Sequence, residues 1–388
     1  MDDGVTAGGI LMTKTKLRSI AAGFAVIVLL AALLVVTSVG KTAGAEDAWD
    51  GVSTAEFEGS GTPEAPYEIA NGKQFAHFVE SVNDGNTYEG EYIVLSGDIN
   101  LGGKELAPIG SESVPFKGSF DGSGNSIRNL KISTVGDNVA LFRYNSGTIS
   151  RLFLKNAQVS AAEGIGGICA YNSGTIEYCG IESGELHIND NGGNVGGIAL
   201  FNYGTVNACF NSADIVNGAG LAGIVYSNEA NGVVENCYNL GVIKATSGNA
   251  SGICDSNYGA VRSCFNSGEL TKSSDVITFG ICANAYDFST IEYCYNNSDV
   301  LLGVLISSAG LVPCDDSSVN RITNAELCSG TLPEGFDDTV WEAGSVGLDS
   351  SDGKFGTLTN TYPSLKNVGK AYSYESAEFN FGTADAPD

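Results

Sequence analysis

Ten cysteines and two histidines are the residues of this sequence whose types most often carry chemistry. Zinc sites need clustered Cys and His ligands, and a Ser-His-Asp arrangement needs a His close to a nucleophile. No CxxC occurs, His77 falls on a predicted helix, and His187 falls on a predicted strand without a nucleophile elbow. We therefore expect both histidines to be structural, and we expect neither a metal nor a cofactor.

Carboxylates could supply the acid and base of a polysaccharide-degrading enzyme, which needs them clustered on one face. The aspartates of the central region occupy different positions of a recurring sequence unit and lie mostly in predicted turns. They are Asp190, Asp214, Asp255, Asp275, Asp287 and Asp299. Because Asp in a turn bonds its own backbone, we expect solvated turns here and no enzyme. A site spread over distant units is the alternative that stays open.

Four aromatic residues recur at one position of that unit and form the candidate ligand-binding set, Phe210, Tyr238, Phe265 and Tyr295. Each stands between a Cys and an Asn that are expected to point inward, so strand alternation predicts that each ring points outward. An exposed aromatic stripe could bind glycan rings or a partner protein. The plainer interpretation, which sequence alone favours, is that the rings only stack on each other; loops could also cover them.

The elements that position these residues are copies of one repeat. The stretch GGICAYNSGTIEYC, residues 166–179, returns as GGIALFNYGTVNAC and SGICDSNYGAVRSC. Aligned copies share an isoleucine at near-constant spacing, Ile168, Ile198, Ile224, Ile253 and Ile281. Each copy has short β-like runs broken by turns, without a helical period. Such self-similarity indicates that one structural unit is stacked along an axis.

Proline usage narrows the fold class. No proline occurs between Pro115 and Pro313, as expected where every strand is paired on both sides. We predict an all-β, right-handed parallel β-helix with a short N-terminal capping helix. The apolar residues Phe75, Phe78 and Val82 recur at helical spacing and give residues 72–83 one hydrophobic face, which predicts that helix.

Two residue types recur at inward positions. One row is Cys179, Cys209, Cys237, Cys264 and Cys294, and Cys169, Cys254 and Cys282 share another position. Aligned parallel strands point these thiols the same way, so we expect core residues rather than disulfides, and Cys314 with Cys328 is the better pair. Two Asn rows predict stacked amides at bends: Asn145, Asn172, Asn202, Asn228 and Asn257, and Asn211, Asn239, Asn266 and Asn296.

The N-terminus predicts export. Basic residues precede an uncharged apolar run, Ile20 to Val39, and residues 43–45 offer a small-residue cleavage site. A cleaved signal peptide is somewhat favoured, but the run is also long enough for an N-terminal membrane anchor. Both interpretations place the rest of the chain outside the cell, secreted or held on the outer face of the cytoplasmic membrane. This segment is the only expected membrane contact.

These patterns predict four regions. Residues 1–45 are the signal peptide or anchor, 46–115 the N-terminal cap and first coils, 116–300 the repeats, and 301–388 the last coil and C-terminal cap. The net charge of −26 makes nucleic acid an unlikely partner, since phosphate backbones would be repelled. We expect a monomer.

The repeats GGICAYNSGTIEYC, VVENCYNLG and VRSCFNSGEL resemble the GLUG-motif repeats of bacterial surface and secreted proteins. The lead-in GSGTPEAPYEIANGKQFAHF and the segment TLPEGFDDTVWEAG resemble the regions that open and close the β-helix in such proteins. The resemblance implies an extracellular stalk or adhesin-like module. Repeats of this kind also flank metallopeptidase domains, but no HExxH occurs here.

We therefore expect a binding or adhesion module without catalysis, whose partner is a glycan or a protein of a host or cell surface. A purely structural stalk and a polysaccharide-active enzyme are the alternatives.

Overall fold

A computed structural model describes residues 48–135, 138–190, 192–271, 275–297, 319–327, 329–343, 345–349, 357–366 and 373–375. All of them belong to one compact unit, Ala45–Asp388. This unit is a parallel β-solenoid of about 8 turns, which confirms the predicted fold class. The predicted signal or anchor segment and the predicted pair Cys314 and Cys328 lie outside the described residues.

Each complete coil runs through five parallel sheets, which we number in chain order around the coil. Sheet 1 contains Tyr67–Ile69, Tyr92–Leu95, Ser119–Asp121, Thr148–Ser150, Thr175–Glu177, Thr205–Asn207, Val233–Glu235, Ala260–Arg262 and Thr290–Glu292. Sheet 2 contains Ile99–Asn100, Ser126–Arg128, Phe153–Lys155, Gly180–Ile181, Phe210–Asn211, Tyr238–Asn239, Phe265–Asn266, Cys294–Asn297 and Val319–Ile322.

The other three sheets close the coil. Sheet 3 contains Lys131–Ser133, Ala157–Ala161, Gly184–Ile188, Asp214–Val216 and Ile243–Lys244. Sheet 4 contains Asn138–Val139, Gly164–Gly166, Asn194–Gly196, Gly220–Ala222, Gly248–Ser251 and Val276–Phe279. Sheet 5 contains Phe142–Asn145, Cys169–Asn172, Ala199–Asn202, Val225–Asn228, Cys254–Asn257 and Cys282–Ala285.

Strand register follows the sequence repeat residue for residue. In sheet 5, Asn172 pairs with Asn145 on one side and with Asn202 on the other. In sheet 1, Ile176 pairs with Ile149 and Val206. Equivalent side chains therefore lie one coil apart, at about 4.8 Å, over the whole repeat region.

The predicted thiol rows are confirmed as core. All eight described cysteines are buried and free, and the Cys237 N–H donates to the Cys264 Sγ at 3.4 Å. Register places Cys254 beside Cys282, as the sequence alignment predicts. Burial raises the pKa of Cys169 and of Cys179, so these thiols stay protonated at neutral pH.

Both predicted Asn rows form buried amide ladders. In sheet 5, each Nδ2 donates to the Oδ1 one coil further on: Asn145 to Asn172 at 2.8 Å, Asn172 to Asn202 at 2.8 Å, Asn202 to Asn228 at 2.9 Å, and Asn228 to Asn257 at 2.8 Å. In sheet 2, the same bond joins Asn211, Asn239, Asn266 and Asn296 at 2.9–3.1 Å. Ladder members also bond nearby backbone groups, so these buried bends leave few polar groups unsatisfied.

A glycine column explains the second residue of the GGI motif. A Cβ on Gly197 would lie 1.9 Å from the Gly223 carbonyl oxygen, and one on Gly223 would lie 2.1 Å from the Gly252 oxygen. Those distances are far inside van der Waals contact. Any side chain at this corner would force neighbouring coils apart.

Helices and short antiparallel strands flank the coils in the sequence. The predicted N-terminal helix is Gly72–Asn83, and the Asn71 side chain caps it by accepting from the Lys73 and Gln74 N–H groups. Its buried Phe75 and Phe78 pack on Phe120, with ring centroids 6.4 and 5.4 Å away. Beyond the coils lie a short helix, Asn324–Leu327, an antiparallel pair, Trp341–Glu342 with Ser364–Leu365, and an antiparallel sheet of Ser345–Asp349, Thr357–Thr361 and Ser373–Glu375.

An amide removed from the ladder should be costly. Asn202→Ala takes the acceptor from Asn172 and the donor from Asn228, both fully buried. We expect the free energy of unfolding to fall by about 2–4 kcal/mol, measured by urea denaturation. Asn189→Ala is the matched control because its side chain is exposed. A loss for Asn202→Ala no larger than that of the control would contradict the ladder's role.

The buried thiols should be chemically silent in the folded chain. With Cys314→Ser and Cys328→Ser as background, we expect no reaction of the eight described thiols with DTNB in buffer. All eight should react after denaturation. Fast labelling of the native protein would show that the thiol rows are open to solvent.

Candidate ligand surfaces

The four aromatic residues predicted to bind a ligand lie on successive strands of sheet 2. Phe210, Tyr238, Phe265 and Tyr295 pair in register. The Phe210 and Tyr238 rings stack at 5.3 Å and 12°, and the Tyr238 and Phe265 rings at 5.1 Å and 5°. We call these four residues the aromatic column. The column belongs to an apolar cluster separate from the main core, so its rings point away from the interior.

The expected exposure of the aromatic column is wrong. Its members are 0%, 2%, 0% and 7% exposed, in chain order. A C-terminal strap, which we define as residues 329–343 and 362–366, lies over them. Trp341 is fully buried, 5.9 Å from the Tyr238 ring and 5.7 Å from the Phe265 ring. Four adjacent aromatic side chains form a large apolar patch, and covering it removes that surface from water.

Directed polar contacts hold the strap in place. The Trp341 Nε1 donates to the Asn236 Oδ1 at 3.1 Å, and the Tyr295 hydroxyl donates to the Glu334 carbonyl at 3.0 Å. The Ser263 hydroxyl donates to the Gly335 carbonyl at 2.7 Å. Gly335 has φ +79°, and a Cβ there would lie 2.2 Å from the Tyr293 ring. The strap is therefore fitted to the column, and its covering leaves the column no accessible ring face.

A second aromatic row lies on the outer side of sheet 5, where sequence reasoning placed no ligand. The rings of Tyr144 and Tyr171 stack at 4.5 Å and 9°, and those of Tyr171 and Phe201 at 5.2 Å and 17°. Tyr226, one coil further on, meets Phe201 edge to face at 6.0 Å and 80°. All four are partly exposed.

The adjoining turn, which links sheet 5 to sheet 1, adds more aromatic surface. Tyr203 is 48% exposed and Tyr258 37%. Tyr286 stacks on Tyr258 at 4.1 Å and 6°. Phe288, two residues later, is fully exposed at φ +71°, a backbone region that residues with a side chain seldom occupy. The aromatic surface therefore continues around the corner of the coil.

Tyrosine hydroxyls and two carboxylates form one electrostatic group at this corner. Burial raises the pKa of Tyr203, and Glu229 and Tyr171 add to the rise. Burial likewise raises the pKa of Tyr226, with help from Asp255 and Tyr286.

Tyr258 belongs to the same group. The hydrogen bond with Tyr286 is the main cause that raises the pKa of Tyr258 to about 12, and burial and Glu229 contribute. We call the whole set the tyrosine cluster: Tyr171, Tyr203, Tyr226, Tyr258 and Tyr286, with Glu229 and Asp255.

Asp255 departs from its predicted setting. It lies on the strand Cys254–Asn257 rather than in a solvated turn, and it is 4% exposed. Burial raises the pKa of its carboxyl, while Ser256, Asn249 and Asn284 oppose the rise. The Ser256 hydroxyl donates to its Oδ2 at 3.0 Å. Glu229, by contrast, is partly exposed and accepts from the Ser227 hydroxyl at 2.9 Å.

The histidines occupy the predicted elements. His77 lies on the helix Gly72–Asn83 with its ring 5.3 Å from Phe57, and His187 lies on Gly184–Ile188 with Nδ1 3.3 Å from Glu185. Within the described ranges, no three His, Cys, Asp or Glu residues come together as a metal site would require. The two helices found there, of 12 and 4 residues, fall short of what a bilayer crossing requires.

The tyrosine cluster was missed although the repeat carried a signal for it. Three of its tyrosines flank the sheet 5 Asn row: Tyr171 precedes an Asn, while Tyr203 and Tyr258 follow one. Tyr144 and Phe201, which stack on Tyr171, also precede an Asn. The asparagine row predicts a bend, and residues beside a bend are often exposed, so rings at the neighbouring positions indicate an open aromatic surface. Tyr286 could not be found this way, because Ala285 stands where the Asn would be.

Fold and surfaces define the class of protein as a parallel β-solenoid with repeated coils and two aromatic faces, one covered and one open. No family model matches the chain. An alignment over 135 positions, which covers 32% of the chain, is 33% identical to halomucin of Haloquadratum walsbyi and spans 1% of that protein's length.

A solved structure shows the same fold. The crystal structure of a candidate immunoglobulin A1 protease from Bacteroides ovatus matches with a TM-score of 0.56 at 23% identity. The match covers 80% of this chain and 94% of that one. Identity this low supports a shared fold and nothing finer.

Removing the Trp341 side chain should weaken the packing of the C-terminal strap on the aromatic column. We expect Trp341→Ala to weaken docking of the strap by about 3–5 kcal/mol, because a fully buried indole is lost. Faster native-state hydrogen exchange at the backbone amides of Phe336 and Val340 would report the weaker docking. Glu342→Ala, at an exposed neighbour, is the control and should leave exchange unchanged. Unchanged exchange in Trp341→Ala would mean that the ring does not hold the strap.

Proposed function

We propose that the chain is an exported β-solenoid that serves as a binding or adhesion module, secreted or displayed at the cell surface, without catalysis. The observation that carries this proposal is the tyrosine cluster, an exposed aromatic and acidic surface on a scaffold whose coils are locked in register. Exposed aromatic groups on a rigid scaffold commonly mark interaction sites. The partner is a glycan or a protein of a host or cell surface, and the module works as a monomer.

Export rests on the sequence and draws support from the comparisons. A basic cluster followed by the apolar run from Ile20 to Val39 is typical of exported proteins. The local likeness to halomucin, a surface protein, agrees with this location. Kinship with GLUG-motif surface proteins remains a prediction from the repeats.

The absence of catalysis is argued from the carboxylates of the open face. Asp255 is almost wholly buried and is bonded by Ser256, which suits a structural or ligand-orienting role better than proton transfer to a substrate. Glu229 alone does not make the acid and base pair that a glycosidase needs. A structural stalk is the second candidate, favoured by the continuous ladders that stiffen the coils.

A binding survey of residues 46–388 tests the proposal. We expect saturable binding to a glycan array or to intact host or bacterial cells, with no release of reducing sugar from any polysaccharide. The same chain unfolded in urea and diluted into the assay is the control for nonspecific adhesion. Absence of binding in every format would leave the stalk, and turnover of a polysaccharide would establish an enzyme.

A further inference from the structure

We propose that the tyrosine cluster, with the neighbouring Phe288, is the binding site for a neutral polysaccharide that lies along the solenoid axis. This inference rests on the proposed binding function and names its surface and its class of ligand.

The aromatic surface is periodic along the solenoid axis. Aromatic groups recur on this face coil by coil, with ring centroids 4.5 and 5.2 Å apart in one row and 4.1 Å apart at Tyr258 and Tyr286. Successive coils offer equivalent positions at about 4.8 Å, a step similar to the length of one hexose in an extended chain. A polymer of repeating sugar units can therefore make similar contacts at successive coils, which a single small ligand cannot.

The rings and carboxylates of this surface have the chemistry that sugar binding requires. Pyranose rings present apolar C–H faces and a rim of hydroxyls, so their binding sites combine aromatic rings with hydrogen-bonding side chains. Exposed rings are supplied by Tyr203, Tyr258 and Phe288, which are 48%, 37% and 101% exposed. Glu229 lies on the coil between those of Tyr203 and Tyr258, and it is close enough to raise the pKa of both tyrosines. Its carboxylate can accept from sugar hydroxyls beside those rings.

Ring geometry limits where sugars can stack. Neighbouring rings cover both faces of Tyr171 and one face each of Tyr258 and Tyr286. The Glu229 coil interrupts the turn row, so Tyr203 and Tyr258 stand about 10 Å apart, two coil steps. Phe288 is the most open ring, and its side chain is held in water at an unfavourable φ. A ligand that covers it would remove apolar surface from solvent.

The negative charge of this surface favours a neutral polymer over an anionic one. The cluster contains two carboxylates and no Lys or Arg, and the chain carries a net charge of −26. Anionic polysaccharides would be repelled. A basic peptide would gain little from Asp255, which is buried, but would meet the partly exposed Glu229 and the exposed Asp287, so salt dependence has to separate it from a neutral polymer. Peptides that bind by adding a strand need a free sheet edge, and Tyr171, Tyr226 and Asp255 lie on strands paired on both sides.

Three exposed rings make the sharpest test. The variant Tyr203→Ala/Tyr258→Ala/Phe288→Ala, in residues 46–388, removes the three most exposed rings of this surface. We expect its affinity for neutral polysaccharides such as β-glucan, xylan or mannan, measured by affinity electrophoresis, to fall about tenfold or more. Tyr92→Ala is the matched control, because Tyr92 is 41% exposed on sheet 1, away from the cluster. The affinity of the Tyr92→Ala variant should equal that of the parent chain.

Salt separates the ligand classes. Binding of a neutral polysaccharide should persist at about 1 M salt, where the Debye length is about 3 Å, whereas a basic peptide should dissociate. Equal binding by the triple variant and the parent, or binding only to charged ligands, would overturn this site. If the parent binds cells but no neutral polysaccharide, the binding function stands and the inference is wrong. If it binds nothing at all, both fail.

Discussion

In-register stacking of coils is the constraint on which the rest of the structure depends. Because each residue of the repeat sits on its own equivalents, at about 4.8 Å above and below, every position must tolerate a copy of itself as neighbour. Small thiols satisfy this condition in the interior, amides satisfy it at buried bends by bonding one another, and glycine satisfies it where backbones meet. Aromatic rings satisfy it on the outside by stacking.

The same constraint decides how much the sequence could reveal. A repeat in the chain becomes a row in space, so the Ile, Cys and Asn rows and the parallel fold were predictable from alignment of the copies alone. Helix Gly72–Asn83 was predictable as well, because its apolar period is local. The covered state of Phe210, Tyr238, Phe265 and Tyr295 was not. It depends on Trp341, which lies outside the repeat and bonds Asn236 across 105 residues of sequence. The setting of Asp255 was not predictable for a related reason, since its polar partners include Asn249 on sheet 4 and Asn284 on the next coil.

The two aromatic rows of this solenoid thus differ in solvent exposure. On sheet 2, the strap lays Trp341 and Phe336 over the column and excludes water from it. Around the corner between sheets 5 and 1, rings of similar number keep partial contact with solvent and stand among carboxylates and hydroxyls. Stacking alone therefore cannot tell a structural aromatic row from a functional one. The cover that a distant segment does or does not provide makes the difference.

The buried amide ladders also give the solenoid a direction. In both of them every Nδ2 donates toward the C-terminal coil, from Asn145 through Asn257 and from Asn211 through Asn296, so the side-chain amide dipoles add rather than cancel. Backbone groups complete the sheet 5 ladder at both ends: the Asn145 Oδ1 accepts from the Gly147 N–H, and the Asn257 Nδ2 donates to the Thr290 carbonyl. A coil inserted anywhere in the ladder would therefore have to carry an amide that points the same way as its neighbours.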